Sequence, residues 1–406
     1  MATSSAPTPV KLFIENFMLN KAQTLKPRLI ELRRTIHRNP ELGFDVFKTA
    51  DLVARTLGEL GVECQTGVGK TGVVGYIGDG DGPGPVVAIR ADMDALPILE
   101  ANEVEYKSQN PGKMHACGHD AHTTMLLGVA TLLAKEKLPG QIRLIFQPSE
   151  EIADDEGISG APRMIDDGAM KGVDAVIALH VDGSLDAGQI SVDAGKVSGT
   201  VDTFRARIIG KGGHGAHPEL ANDPIWLTTQ VLNAMYAVPS RRIDPFQPSV
   251  LSLGVVQGGA ASNVIPHEIY VEGTLRSMDD TVREQLIGEV SHCLEIARAL
   301  GGDYKLEIER GYPSMINDAG VVDTIQQAGI DLLGENGLGK SKRTLGAEDF
   351  AFMTRLVPGA MFSLGTKEPG GEPRYVHTPD WDIDEDALPV GTAMLAETAL
   401  RLLKAK

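Results

Sequence analysis

Residues 114–122 read MHACGHDAH: three histidines, a cysteine and an aspartate in nine residues, with almost no apolar side chain to bury. Such a stretch is a metal site, a thiol nucleophile or a polar loop. Thiolate and neutral imidazole both suit zinc-like ions. The i,i+2 spacing of Cys117 and His119 puts both side chains on one side of an extended segment, and Gly118 permits a tight backbone between them. As a nucleophile, Cys117 would instead need a nearby histidine as base. Other polar groups follow apolar runs: Asp92 and Asp94 in RADMDALP, Glu150 and Glu151 in IFQPSEE, His180 in VIALHVDG and His377 in RYVHTPD. Adjacent carboxylates repel unless something positive holds them. Beside an ion, one can ligate while its neighbour takes a proton from water. Each group also has an ordinary reading: a solvated acidic loop for Glu150 and Glu151, a satisfied core histidine for His180, a capping loop for His377.

These groups matter together only if the fold brings them together. PVVAIRA, QIRLIFQ, VDAVIALH and GAMFSLGT are short apolar runs, set among helical stretches such as TADLVARTLGELGV and HTTMLLGVATLLAKEK. The alternation predicts an α/β fold, a mostly parallel sheet with helices on both faces. Ligands bind such sheets outside the carboxyl ends of the strands, where these polar groups are expected. One helix is expected over 20–38, stopped at Asn39-Pro40. Around residue 196 the rhythm changes. TVDTFRARIIGK, PIWLTTQVLNAMYAV, SVLSLGVVQGG, HEIYVEGTLRSM, TVREQLIGEVSHCLEIARALG and DYKLEIERGYPSMI follow in the order βαββαβ, a ferredoxin-like unit. The expected division is a discontinuous domain, 1–195 and 315–406, interrupted by a second at 196–314.

Composition narrows the function classes. A formal net charge of -17 over 406 residues argues against nucleic acid and anionic membranes as partners, and requires a local positive site for any anionic substrate. No apolar run approaches the length of a membrane span. The opening segment lacks the apolar core and small-residue cleavage site of a leader, so the chain is read as cytoplasmic. Cys64, Cys117 and Cys293 do not describe a disulfide scaffold. In the inserted unit, GKGGHGAHPE carries His214 and His217 in a setting that is not a phosphate loop. Asn263 and Arg276 could hold a carboxylate, the arginine bidentately, or be an ordinary turn residue and a surface charge.

RRTIHRNPELGF, RADMDALPI, MHACGHDAHTTMLLG, IFQPSEE, GKGGHGAHPE, GGAASNVIP and AEDFAFM occur in this order from about residue 25 to the C-terminus. Together they resemble the aminoacylase/carboxypeptidase family of dinuclear metallopeptidases. Within it, they resemble the amidohydrolases of N-acyl amino acids, hippurate and auxin conjugates. The resemblance implies two divalent ions, zinc first because of the thiolate, with manganese, cobalt or nickel as alternatives. It puts Cys117, His119, Glu151, His180 and His377 on ligand positions, with Cys117 bridging, and Glu150 on the general acid/base. Asp94 falls on an aspartate that orients a ligand. His214 falls on a lid histidine that stabilises the transition state and, in family dimers, reaches into the partner's site. Asn263 and Arg276 fall near the substrate carboxylate, and Glu348 is a further motif residue. Asp92 is not expected to ligate, and His115, Asp120 and His122 are expected to support the site or start a helix.

The implied reaction is metal-dependent cleavage of the amide bond of a small-molecule N-acyl or N-aroyl amino acid, giving a carboxylic acid and a free amino acid. The inserted domain is then a lid and dimerisation domain, and the protein a homo-oligomer, dimer or tetramer. Rival readings are a metallo-carboxypeptidase or dipeptidase acting on short peptides, a thiol hydrolase using Cys117, and a non-catalytic conjugate-binding protein. Glu150 argues against the last, since a pure binder needs no base.

Overall fold

The computed structural model describes residues 17–341 and 343–404, so the reading of the N-terminal start lies largely outside the described residues. In chain order the main elements begin with α1 (Phe17–Thr24), α2 (Lys26–Arg38), α3 (Phe47–Glu59), β1 (Glu63–Val68), β2 (Gly72–Gly78) and β3 (Val86–Asp92). Next come α4 (His119–Leu133), β4 (Gln141–Gln147), β5 (Ala175–Asp186) and β6 (Ile190–Ser191). The inserted part supplies β7 (Asp202–Ile209), α5 (Pro224–Arg241), β8 (Ser249–Gln257), β9 (Glu268–Ser277), α6 (Asp280–Ala299) and β10 (Asp303–Arg310). The chain closes with α7 (Ala319–Leu333), β11 (Gly359–Lys367) and α8 (Ala387–Leu402).

The first sheet has the order β1-β2-β4-β3-β5-β11-β6. Its four central strands are parallel, while β1, β2 and β6 pair antiparallel at the edges. A tight turn between β1 and β2 permits only antiparallel pairing, so a sheet that reads as mostly parallel acquires mixed edges. Strand β3 is buried along its whole length. Helix α4 is buried nearly all round and packs on α2, α8 and β3, which makes it a core helix. Each apolar side chain sequestered in this way contributes about 1.5–3 kcal/mol.

Two expectations need correction. The helix expected over 20–38 is two helices, broken between Thr24 and Lys26. Pro27 has no N–H to continue α1 and its fixed φ suits the first turn of α2. His180 does not end its strand: β5 runs on to Asp186, with His180 opposite Ser363 of β11.

The second sheet is fully antiparallel, in the order β8-β9-β7-β10. Helices α5 and α6 pack on it and on each other. Asp223 and Asp279 cap the two helices by accepting from Ile225 N–H and Thr281 N–H, each cap being worth about 1 kcal/mol. Contacts divide the chain into two compact units, Met1–Gly195 with Ile316–Lys342 and Phe352–Lys406, and Lys196–Met315 with Arg343–Ala351. Among the described residues, no helix is long and apolar enough to cross a membrane.

Candidate metal centre

The segment MHACGHDAH is not extended throughout. Helix α4 begins at His119, and Gly118 precedes it with φ +85°, a left-handed conformation that favours glycine. A Cβ there would also come within 2.3 Å of Val181. The sharp entry turns Cys117 and His119 toward common neighbours, but by a loop-to-helix turn rather than by strand alternation.

Hydrogen bonds fix the state of each ring. His119 Nδ1 lies 2.8 Å from the Asp94 carbonyl oxygen, which can only accept, so Nδ1 carries a proton and Nε2 is the nitrogen left to meet an ion. That Nε2 is buried without a hydrogen-bond partner. His180 repeats the pattern: Nδ1 donates to the Val181 carbonyl at 2.8 Å, and Nε2 faces Cys117 Sγ at 3.4 Å. His122 differs. Its Nε2 accepts from Val181 N–H at 3.0 Å and its Nδ1 donates to Asp92 Oδ1 at 2.6 Å. Both nitrogens are used, and burial pushes its pKa down to about 4. Asp92 is likewise engaged, with Oδ2 2.6 Å from Arg90.

The carboxylates are supplied by the loop after β4. Asp94 Oδ1 accepts from Glu150 N–H at 3.0 Å and Oδ2 from Glu151 N–H at 3.1 Å. Asp94 therefore holds the glutamate loop with its side chain and His119 with its main chain. Ser149, just before the pair, has φ +52°, and His377 has φ +66°. Strained non-glycine backbone of this kind persists where surrounding contacts impose it. Gly160 N–H donates to the Ser149 carbonyl at 2.8 Å, and a Cβ at Gly160 would collide with Pro148 O at 1.6 Å, so the loop closes only on glycine. His377 N–H donates to the Ala116 carbonyl at 2.7 Å, and its Nε2 lies 3.3 Å from Glu151 Oε1.

Candidate ligand atoms fall into overlapping groups whose members lie within 4.8 Å of one another: Cys117, His119 and His180; Cys117, Glu151 and His377; and His119, Glu150 and Glu151. Cys117 is common to the first two. Burial and the nearby Glu151, Glu150 and Asp92 carboxylates push its thiol well above the ordinary range. A nucleophilic cysteine needs the opposite environment. Burial works against a charged His119, yet Asp92, Asp94 and Glu151 raise its pKa to about 10, so without an ion its Nε2 also holds a proton, which a cation would displace. Carboxylates gathered around a thiol and the Nε2 atoms of two imidazoles form a donor set suited to divalent cations.

The second unit holds the remaining expected residues. His214 pairs with Val264 in a short antiparallel ladder, and Gly215 N–H donates to the Asn263 carbonyl at 2.8 Å, so His214 and Asn263 are neighbours. Both are exposed. His214 Nδ1 accepts from Ala216 N–H at 3.0 Å, which leaves the proton on Nε2. Arg276 is not with them. It sits near the far end of β9, eight residues beyond Glu268, or about 26 Å along the strand.

Sequence reasoning missed a buried polar network behind the centre. Arg33 Nε donates to Asp120 at 2.8 Å and its Nη2 to Asp382 at 2.7 Å. His37 bridges Asp120 at 2.7 Å and Glu100 at 3.2 Å. The i,i+4 spacing of Arg33 and His37 within RRTIHRNPELGF puts both on one helix face, but spacing alone does not name their partners.

The family model described as Peptidase family M20/M25/M40 matches residues 88–401. The chain is 40% identical over 388 residues to "Thermostable carboxypeptidase 2" of Saccharolobus solfataricus, covering 94% of this chain and 97% of the relative. It is 36% identical over 398 residues to "IAA-amino acid hydrolase ILR1-like 5" of Arabidopsis thaliana, covering 96% and 90%. The crystal structure of the Bacillus subtilis YXEP protein, described as a dinuclear metal binding peptidase from the M20 family, superposes with a TM-score of 0.81 at 32% identity, over 95% of this chain and 100% of that one. With motifs, fold and donor set in agreement, the chain belongs to peptidase family M20/M25/M40, a family of metal-dependent hydrolases.

Proposed function

We propose that this protein hydrolyses N-acyl or N-aroyl amino acids to a carboxylic acid and a free amino acid. The observation that carries the reading is the pair of imidazoles, His119 and His180. Each has Nδ1 tied to a backbone carbonyl and Nε2 turned toward the cluster of Cys117 and the glutamate loop. Cys117, His119 and His180 would hold one ion, and Cys117, Glu151 and His377 the other, with Cys117 shared. Zinc suits a set containing thiolate best, with manganese, cobalt and nickel as alternatives. When bound, such ions acidify a water and polarise the amide carbonyl. Glu150 takes the proton of that water and returns it to the leaving nitrogen. Asp94 keeps Glu150 and Glu151 in place through their N–H groups. His214, with its proton on Nε2, donates to the oxygen that gains charge.

Asn263 and Arg276 take the carboxylate of the amino acid. Asn263 lies in the loop before β9 and Arg276 near that strand's far end, which favours their meeting one substrate from different copies of the chain. This supports a dimer or tetramer assembled through the second unit, which then acts as lid and dimerisation domain at about 196–314. The place of action proposed is the cytoplasm. Short peptides present the same amide and carboxylate, and the relative named a carboxypeptidase keeps that second substrate class open.

The test crosses acyl type with amino acid in a hydrolysis panel, with metal content measured on the same sample. Turnover of substrates with a free carboxylate, lost on chelation and restored by zinc or manganese, is expected. Turnover that survives complete metal removal but not thiol alkylation would replace this reading with a thiol hydrolase.

A further inference from the structure

Three segments supply the proposed second ion site, and besides the Glu151 loop two approach it from opposite directions in sequence. One ends in Ala116, Cys117 and His119, and the other carries His377. They meet through a main-chain bond, His377 N–H to the Ala116 carbonyl, and where the buried Trp381 ring lies beside Gly118. His377 itself is half exposed and on left-handed backbone, so its position depends on the contacts that hold its loop. Buried side chains behind it also tie the two segments together.

Arg33 sits in that position. It is fully buried on α2, and its rigid guanidinium meets Asp120, Asp382 and, at 3.4 Å, Glu385. Nε bonds Asp120, the residue after His119, and Nη2 bonds Asp382, five residues after His377. Among the described residues it is the one side chain hydrogen-bonded to both segments. Each carboxylate has its own support. His37 bonds Asp120 on the Oδ2 that also meets Arg33, and the Tyr106 hydroxyl donates to the other oxygen of Asp382 at 2.7 Å. Neither helper reaches across. A lysine at position 33 would retain the charge but not the fork, and one ammonium cannot reproduce both bonds with the same geometry.

We propose that Arg33 is a positioning residue for the second metal ion: by bonding Asp120 and Asp382 at once, it holds the His377 loop at ligating distance from the Cys117 segment. This rests on the assignment of Cys117, Glu151 and His377 to that ion. The first ion, assigned to Cys117, His119 and His180, draws no ligand from the His377 loop and is left in place when Arg33 changes.

The test titrates the full-length apoprotein with zinc against a chromophoric chelator and resolves two binding constants. Arg33→Lys is expected to weaken the second constant at least tenfold and to leave the first within about threefold, with the far-ultraviolet circular dichroism of the apoprotein unchanged. Tyr106→Phe, which leaves both Arg33 bonds intact, is expected to bind both ions like the parent. Should Arg33→Lys fail to fold, Asp382→Asn, which weakens one arm and keeps the rest, is expected to give the same selective loss. Wild-type constants for both ions in the variant that folds overturn the proposal, and so does an equal weakening of the two. A parent protein that binds no second ion overturns the metal assignment as well. A parent that binds two ions beside an unaffected variant overturns the role of Arg33 alone.

Discussion

The two units carry their expected functional residues in opposite ways. In the first, Cys117, His119, Asp94 and Glu150 are buried, and hydrogen bonds already choose the tautomer and direction of the histidines. In the second, His214 and Asn263 are exposed on a two-residue ladder, and Arg276 lies at a distance along β9. A cation site needs preorganisation, because bringing carboxylates and a thiol together without it costs Coulomb and desolvation energy that the rest of the fold must offset. A substrate-facing donor need only be present when substrate and a second copy are. The first region thus has its candidate donors gathered within one chain, and under the proposed function the second is completed by another copy.

The largest effect that would test this contrast is at Glu150. Glu150→Gln is expected to lower kcat by about 10²–10⁴-fold while metal content stays at the parent level; unchanged turnover would remove the catalytic base from the centre. Next is His214→Ala, with a kcat loss of about 10²–10³-fold, as for other oxyanion donors. Because His214 is exposed, the melting transition should not move. Mixing the Glu150→Gln and His214→Ala proteins, dissociated and reassembled together, should recover part of the parent activity. No recovery from verified mixed oligomers would place His214 on the centre of its own chain. Arg276→Ala is expected to raise KM for a free-carboxylate substrate by about 10–100-fold with kcat little changed, read from initial rates over a substrate series. The smallest effect is at His217, the exposed neighbour of His214. His217→Ala should stay within about threefold of the parent in both constants, whereas a loss equal to that at His214 would assign the role to the glycine-rich loop as a whole.

Much of the centre was legible because its chemistry is concentrated in short runs. Thiol and imidazole in ACGHD and paired carboxylates in PSEE name a metal site by composition, and the apolar runs before them name strands. The turn at Gly118 was not legible as a left-handed helix entry, because a glycine in sequence does not state which conformation it adopts. The end of β5 was placed too early, since a histidine after an apolar run reads as a boundary, while parallel pairing with β11 carries the strand on to Asp186. The burial of Arg33 and His37 was not legible, because the partners that allow it, Asp120, Glu100 and Asp382, come from distant segments.

Sequence alone determined the family, the α/β class and the list of candidate donors, because these depend on residue type, periodicity and local spacing. Tertiary structure decided which nitrogen of each histidine faces the cluster, why His122 and Asp92 are occupied while His119 and His180 are available, and that Arg276 sits near the end of β9 far from its start. Those distinctions depend on hydrogen bonds between residues far apart in the chain and on distance along a strand. The pattern of a single segment records neither.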